Sequence, residues 1–264
     1  MNRMPSGEDP GLNARQREML DLARRRGFVA IEAMARHFKV TAQTVRRDIN
    51  VLCERGILHR YHGGAGVSSS VENMSYDTRQ VMFLKEKQRI AKMVAAHIPD
   101  RASLFVNIGT TTEEVARHLK AHQSLRIITN NLNVATILSA RPRFEVIVAG
   151  GVVRTRDRGI IGEATMDFIN QFKVDCAIIG ISGIDADGAL LDFDYQEVRV
   201  AQAIVNNARR VYLVADHSKF ERSPMVRLGH IAQIDALFTD RPLSTAMAEV
   251  FARAQTAVYV ADAS

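Results

Sequence analysis

The chain has 264 residues, 47% hydrophobic and 24% charged, so it belongs with globular proteins of one large or two smaller domains. No apolar run approaches the ~18 residues that span a bilayer, and "MNRMPSGEDPG" lacks the apolar stretch of a signal peptide. The two cysteines, Cys53 and Cys176, stand far apart without CxxC spacing. That argues against a zinc site or a disulfide framework and suits a reducing cytoplasm.

The net charge of +6 is unevenly placed. Through Gly66 there are 12 Lys/Arg against 7 Asp/Glu, whereas the rest of the chain holds 23 against 22. Positive charge focused on one small unit points to a polyanion partner, most often nucleic acid.

Residues 1–11 read as a disordered leader. Asn13 and Gln16 have capping-box spacing, Met19, Leu20 and Ala23 supply an apolar stripe, and Gly27 is a stop. "FVAIEAMARHF" reads as a short second helix with Ile31, Met34, Ala35 and Phe38 available for a core. "KV" makes a tight turn. "TAQTVRRDINVLCERG" reads as a third helix, with Thr41 as N-cap and Gly56 past its end. Val45, Ile49 and Leu52 share one of its faces, and Gln43, Thr44, Arg46 and Arg47 lie on the others near its start. This is the plan of a helix-turn-helix, whose second helix turns its first residues to the bases of the major groove. The forked ends of Gln and Arg can make two hydrogen bonds to one base. Thr41 and the helix N-terminus can bind a phosphate oxygen. "ILHRYHGGAG" then reads as a wing hairpin, with Arg60 and His62 near the DNA backbone or minor groove. Two adjacent arginines alone would be a solvated face; the helix lengths, the turn, the wing and the charge focus carry the reading.

Residues 12–67 form this unit, and 68–84 are expected to be a linker, because "VSSSVENMSYDTRQ" is polar and without period. From 85 to 264 the pattern changes. A helix spans about Lys85 to His97, with Ile90, Val94 and Ile98 as its buried stripe. Short β-branched runs then alternate with helical stretches: "SLFVNI", "RIIT", "FEVIVAG", "DCAIIG", "RVYLVA", "DALFT" and "AVYVA". Such alternation indicates an α/β fold around a mostly parallel sheet, whose ligands sit at the carboxyl ends of the strands.

The strand ends are polar and glycine-rich. "NIGTTTEE" follows the first strand with Asn107, Gly109, Thr110 and Thr111. Thr111 and Glu114 have capping-box spacing, and the backbone N–H groups and hydroxyls could cradle a phosphate. Thr129, Asn130 and Asn131 follow the second strand, and Gly150 and Gly151 the third. "GISGIDADGALLDFDYQEVR" carries Gly183, Asp185, Asp192, Glu197 and Arg199, and "DHSKF" carries Lys219. Each cluster alone is weak, since Asn-Asn can be a turn and Gly-Gly a bend. Together they suggest an anionic, hydroxyl-rich ligand. There is no GxxxxGK[ST] and no GxGxxG between strand and helix, which disfavours a nucleotide triphosphatase or a dinucleotide enzyme. The eight histidines have no metal-binding spacing, so no metal is assigned.

"VTAQTVRRDINVLCERGILHRYHGGA" resembles the deoR-type winged helix-turn-helix of bacterial repressors, with "TVRRD" and "RYHGGA" as recurrent features. The family usually has Ser where Thr41 stands. The strand-end motifs resemble the sugar-phosphate sensor domain of the same family, from Leu12 to about Asp240 overall. The resemblance implies a sensor that shares its fold with ribose-5-phosphate isomerase and the CoA transferases. "SSSVEN", "TNNLNVA", "RDRGIIGEATMDFINQF" and the long glycine-rich motif are most similar to the glycerol-responsive members. They imply glycerol 3-phosphate as effector, and no cofactor is assigned. Double-stranded operator DNA is the partner expected of the helix-turn-helix, and self-association as a dimer or tetramer would match repeated half-sites. The family usually has Asp at the Asn107 position; Asn keeps the hydrogen bonding and loses the charge. The alternatives are a repressor answering another sugar phosphate, and a sugar-phosphate isomerase-like enzyme with a DNA-binding appendage. In the enzyme, Asp185, Asp192, Glu197 and Lys219 would serve as acid and base.

Overall fold

The computed structural model describes residues 11–26, 28–61, 63–66 and 74–262. The chain divides into two units between Ser68 and Ser69.

The first unit holds α1 (Ala14–Arg26), β1 (Phe28–Ala30), α2 (Ile31–Phe38), α3 (Ala42–Glu54), β2 (His59–Tyr61) and β3 (Gly64–Gly66). The capping box forms: Gln16 N donates to Asn13 Oδ1 at 2.9 Å, and Asn13 N to Gln16 Oε1 at 3.1 Å. Gly27 lies outside the described residues. Phe28–Ala30 is a strand rather than the start of the second helix, because the wing needs a partner. The antiparallel sheet runs β1-β3-β2 and sets Val29 against Ala65. Gly64 permits this approach, since a Cβ there would lie 2.2 Å from the Val29 carbonyl oxygen. Lys39 takes the left-handed conformation (φ 54°) in the tight turn. Met19, Met34, Val45, Ile49 and Leu52 are buried at the centre. Each such side chain contributes roughly 1.5–3 kcal/mol, and a unit this small depends on them.

The second unit opens with α4 (Tyr76–Val81) and α5 (Leu84–Ala96). It continues with β4 (Ser103–Val106), α6 (Thr110–His118), β5 (Arg126–Thr129), α7 (Leu132–Ser139), β6 (Glu145–Val148), β7 (Val152–Val153), β8 (Ile160–Ile161) and α8 (Glu163–Ile169). Then come β9 (Val174–Ile179), β10 (Gly183–Ile184), β11 (Ala189–Asp192), α9 (Tyr195–Asn206), β12 (Ala208–Val214), β13 (Val226–His230), β14 (Ala236–Thr239), α10 (Thr245–Arg253) and β15 (Ala257–Val260). The stretch expected to be linker therefore contains a helix. Ser75 caps it by accepting from Thr78 N at 3.2 Å, a local signal hidden by the polar composition.

The seven strands read from the pattern form one parallel sheet of order β15-β14-β12-β9-β4-β5-β6. Alternation along each strand feeds two cores. Leu104, Val106, Ile127 and Ile178 pack with α5, α6 and α7, whereas Phe105, Ile128, Ala177 and Ile179 pack with α8 and α9. The chain builds outward from β4 through β5 and β6, then returns to β9 on the other side of β4. The order of strands thus reverses between β4 and β9, where open α/β sheets leave a crevice at the carboxyl ends. Two short antiparallel sheets, β10-β11-β13 and β7-β8, were not legible in the pattern.

Candidate functional site

The first unit presents a charged reading face. Thr41 caps α3, its Oγ1 accepting from Thr44 N at 3.2 Å and lying 2.9 Å from Thr44 Oγ1. Gln43, Arg46 and Arg47 are exposed on the first turns, while Val45 beneath them is buried. Asp48 is buried on the same helix and accepts from Arg15 Nε at 2.6 Å and Gln16 Nε2 at 3.1 Å. Arg60 on the wing donates to Asn50 Oδ1, which ties the wing to α3. His62 lies outside the described residues.

In the second unit, a cavity opens at the reversal point. Ile108, Gly109, Thr110 and Thr111 after β4, and Gly180, Ile181 and Ser182 after β9, line it with Arg79, Asp192, Glu197, Val214 and Lys219. Six of the residues singled out from sequence meet here: Gly109, Thr110, Thr111, Asp192, Glu197 and Lys219. Gly109 caps α6 with φ 152°, a value that side chains rarely adopt, and no side chain caps the helix. The helix therefore starts at Thr110 and its first N–H groups are left for another acceptor. The capping box of Thr111 and Glu114 does not form. Thr111 already lies inside the helix, and Glu114 pairs with Arg117 at 3.0 Å instead. Thr112 turns inward, donating to the carbonyls of Asn107 at 2.8 Å and Gly109 at 2.7 Å.

The other strand-end residues hold the frame. Asn107 is buried and its Oδ1 accepts from Ile108 N at 2.7 Å. Thr129 donates to the Val106 carbonyl at 2.6 Å and joins β5 to β4. Asn130 Nδ2 donates to the Ile160 carbonyl at 3.1 Å. Asn131 caps α7 and donates to Glu113 Oε1 at 3.2 Å. The Gly150 carbonyl accepts from Thr165 at 2.8 Å, and a Cβ on Gly151 would collide with that same hydroxyl. Gly183 sits in β10, where a Cβ would lie 2.3 Å from the Arg222 carbonyl oxygen. Asp185 is exposed on the β10–β11 turn, and Arg199 is exposed on α9 near Tyr195. None of these nine positions lines the cavity. Their side chains or backbone are spent on strand ends, caps and close packing, or face solvent.

Burial sets the charges of the cavity. Asp192 is pushed above the ordinary carboxylate range by burial, against bonds from Phe193 N–H and the Ser182 hydroxyl. Glu197 rises to about 7 through burial and the nearby charge of Asp192. Lys219 falls to about 7 through burial, with Arg222, Lys87 and Arg79 adding repulsion. Two cations and two carboxylates thus face one small space, and burial disfavours both signs of charge. Beside it stands an ion network absent from the sequence reading. Arg154 forks onto Asp157 at 2.9 and 2.6 Å and also reaches Asp194 at 2.9 Å and Glu197 at 2.7 Å. Arg156 bonds Asp194 at 3.0 Å. Arg79 and Ser182 were also missed, Arg79 because it lies in the presumed linker.

The comparisons with known proteins match both units. Residues 15–71 match the DeoR-like helix-turn-helix domain, and residues 83–241 the DeoR C-terminal sensor domain. The glycerol-3-phosphate regulon repressor of Escherichia coli (strain K12) is 50% identical over 89% of this chain and 94% of its own. The HTH-type transcriptional repressor CsqR of the same organism is 46% identical over 86% of this chain and 87% of its own. Among solved structures, ribose 5-phosphate isomerase A from Methanocaldococcus jannaschii overlaps 52% of this chain and 55% of its own at 13% identity, with a TM-score of 0.39. The chain belongs to the DeoR family of helix-turn-helix transcriptional repressors, with a winged DNA-binding unit followed by a parallel α/β sensor.

Proposed function

We propose that this protein represses genes of glycerol and glycerol 3-phosphate metabolism and leaves its operator when glycerol 3-phosphate binds the sensor. The observation that carries the effector class is the joining of the α6 N-terminus, Thr110 and Thr111 with Lys219, Asp192 and Glu197 in one cavity. A phosphate suits the unfilled N–H groups, the threonine hydroxyls and the lysine. The carboxylates opposite suit hydroxyl donors. The relatives named for the glycerol-3-phosphate regulon support the choice of effector within that class. Glycerol 3-phosphate has no carbonyl, so the acid and base groups have no isomerisation to perform on it.

On DNA, Gln43, Thr44, Arg46 and Arg47 would read bases, and Thr41, Arg60 and His62 would hold the backbone. A symmetric dimer or tetramer would place several winged units on repeated half-sites in the cytoplasm. The effector must bind one arrangement of the protein better than the other, because equal affinities shift nothing.

Fluorescence anisotropy on DNA from a glycerol-utilisation promoter tests this at fixed salt, with glycerol, inorganic phosphate and fructose phosphates as controls. Selective release by glycerol 3-phosphate is expected. Release by a different sugar phosphate alone would keep the repressor and replace the effector. Absence of DNA binding would overturn the repressor reading.

A further inference from the structure

Arg79 stands where the sensor cavity meets the first helix of its unit. It lines the cavity with Thr110, Thr111 and Lys219. Its guanidinium is poorly engaged. Nε donates to the Met74 carbonyl at 3.2 Å, and Nη2 lies 3.7 Å from Asp157, beyond hydrogen-bond length. Asp157 is already taken by the Arg154 fork and the Gly159 N–H. The fork of Arg79 is thus placed in the cavity with most of its donors uncommitted among the described residues.

The backbone of Arg79 is gripped from the same site. Its carbonyl accepts from Thr110 Oγ1 at 3.4 Å and from Lys87 Nζ of α5. Tyr76, one turn earlier, donates to Glu113 of α6 at 2.7 Å and accepts from Asn133 at 3.1 Å. The six-residue α4 is therefore fastened to α6, the helix whose first residues border the cavity. In sequence, α4 is also the first helix after the DNA-binding unit among the described residues.

We propose that Arg79 is a phosphate-contacting residue and that α4 carries the binding signal: a phosphate dianion draws the guanidinium away from Asp157 and the Thr110 hydroxyl away from the Arg79 carbonyl, and α4 shifts. This rests on the effector reading above. The cations Arg79 and Lys87 repel Lys219, and a dianion between Arg79 and Lys219 relieves that repulsion. Arginine suits the task because its rigid planar fork matches two oxygens of one phosphate, whereas lysine offers a point charge on a flexible stem. Loss of the fork leaves Asp157 paired with Arg154.

The test uses the full chain carrying Arg79→Gln or Arg79→Lys. Calorimetry measures glycerol 3-phosphate affinity for the free protein and for the operator-bound protein, and the ratio of the two is the coupling between sites. Arg79→Gln is expected to bind operator normally, to weaken glycerol 3-phosphate by roughly ten- to hundredfold, and to bring the ratio close to one. Arg79→Lys is expected to recover part of the affinity and less of the ratio. Wild-type affinity in Arg79→Gln would overturn the contact. Weakened affinity with an unchanged ratio would overturn the relay. A wild-type chain that binds no glycerol 3-phosphate would overturn the effector reading and the role of Arg79 with it.

Discussion

Arg15 Nε lies 2.6 Å from Asp48 Oδ2, so α1 is pinned to the helix that carries the exposed Gln43, Arg46 and Arg47. Asp48 is buried and also takes a bond from Gln16, itself buried. Asp48→Ala should cost about 1–3 kcal/mol, because it strands the Gln16 amide and releases Arg15. Faster amide hydrogen exchange across α1 and α3, with α5 and α6 unaffected, is the expected result. Unchanged exchange in α1 would mean that the pair adds nothing to the packing.

Arg47 is solvent-exposed on the second turn of α3. If it reads a base, Arg47→Ala should lose roughly 1–3 kcal/mol on operator DNA and much less on random DNA. Anisotropy titrations on the two DNAs, at one salt concentration, separate the cases. Equal losses on both would assign Arg47 to the phosphate backbone.

Thr110 and Thr111 open α6 at the cavity. The double change Thr110→Ala with Thr111→Ala removes two hydroxyls from the site, each worth about 1.5–3 kcal/mol if bonded to a phosphate. The variant should bind operator normally and stay bound at effector concentrations that release the wild type. Normal release would remove this loop from effector binding.

Arg154 is half-buried among Asp157, Asp194 and Glu197. Arg154→Met keeps the length of the side chain and takes from Asp157 and Glu197 their nearest cation, leaving only the more distant Arg79 and Arg156, which should cost roughly 3–5 kcal/mol. Thermal unfolding followed by circular dichroism should show a clear fall in Tm. A Tm equal to that of the wild type would show that Arg156, Arg79 and solvent, rather than Arg154, balance the three carboxylates.

The charge balance of the cavity predicts proton uptake on binding. The folded pKa of Lys219 is depressed from 10.5 to about 7, so near pH 7.5 the lysine is only partly protonated. Glu197 is raised from 4.5 to about 7. A bound dianion favours the protonated form of both groups, so both take up protons. Calorimetric titration of effector at pH 7.5 in buffers of different ionisation enthalpy should report uptake on the order of one proton. Proton release, or no dependence on buffer, would place the phosphate away from Lys219. The same shifts have opposite consequences for folding. The contribution of Glu197 is present below pH 4.5 and lost as pH rises through about 7, whereas that of Lys219 is present above 10.5 and lost as pH falls through about 7.

The sequence by itself determined the local elements. The Asn13–Gln16 box, the Thr41 cap, the Val45, Ile49 and Leu52 stripe and all seven parallel strands were legible, because caps and hydrophobic periods act over a few residues. The Phe28–Ala30 strand was not, since its partner lies at the wing. Tertiary structure alone decided which polar strand ends meet. Strand order is set by long-range pairing, and β4 has β9 for a neighbour, with Leu104 against Cys176. That pairing brings Thr110 beside Ser182 and Asp192, and leaves Thr129, Asn130 and Asn131 to tie strand ends and helix caps. Arg79 enters the cavity from a stretch that composition marks as linker, because a six-residue helix is held there by contacts to α6 rather than by its own propensity.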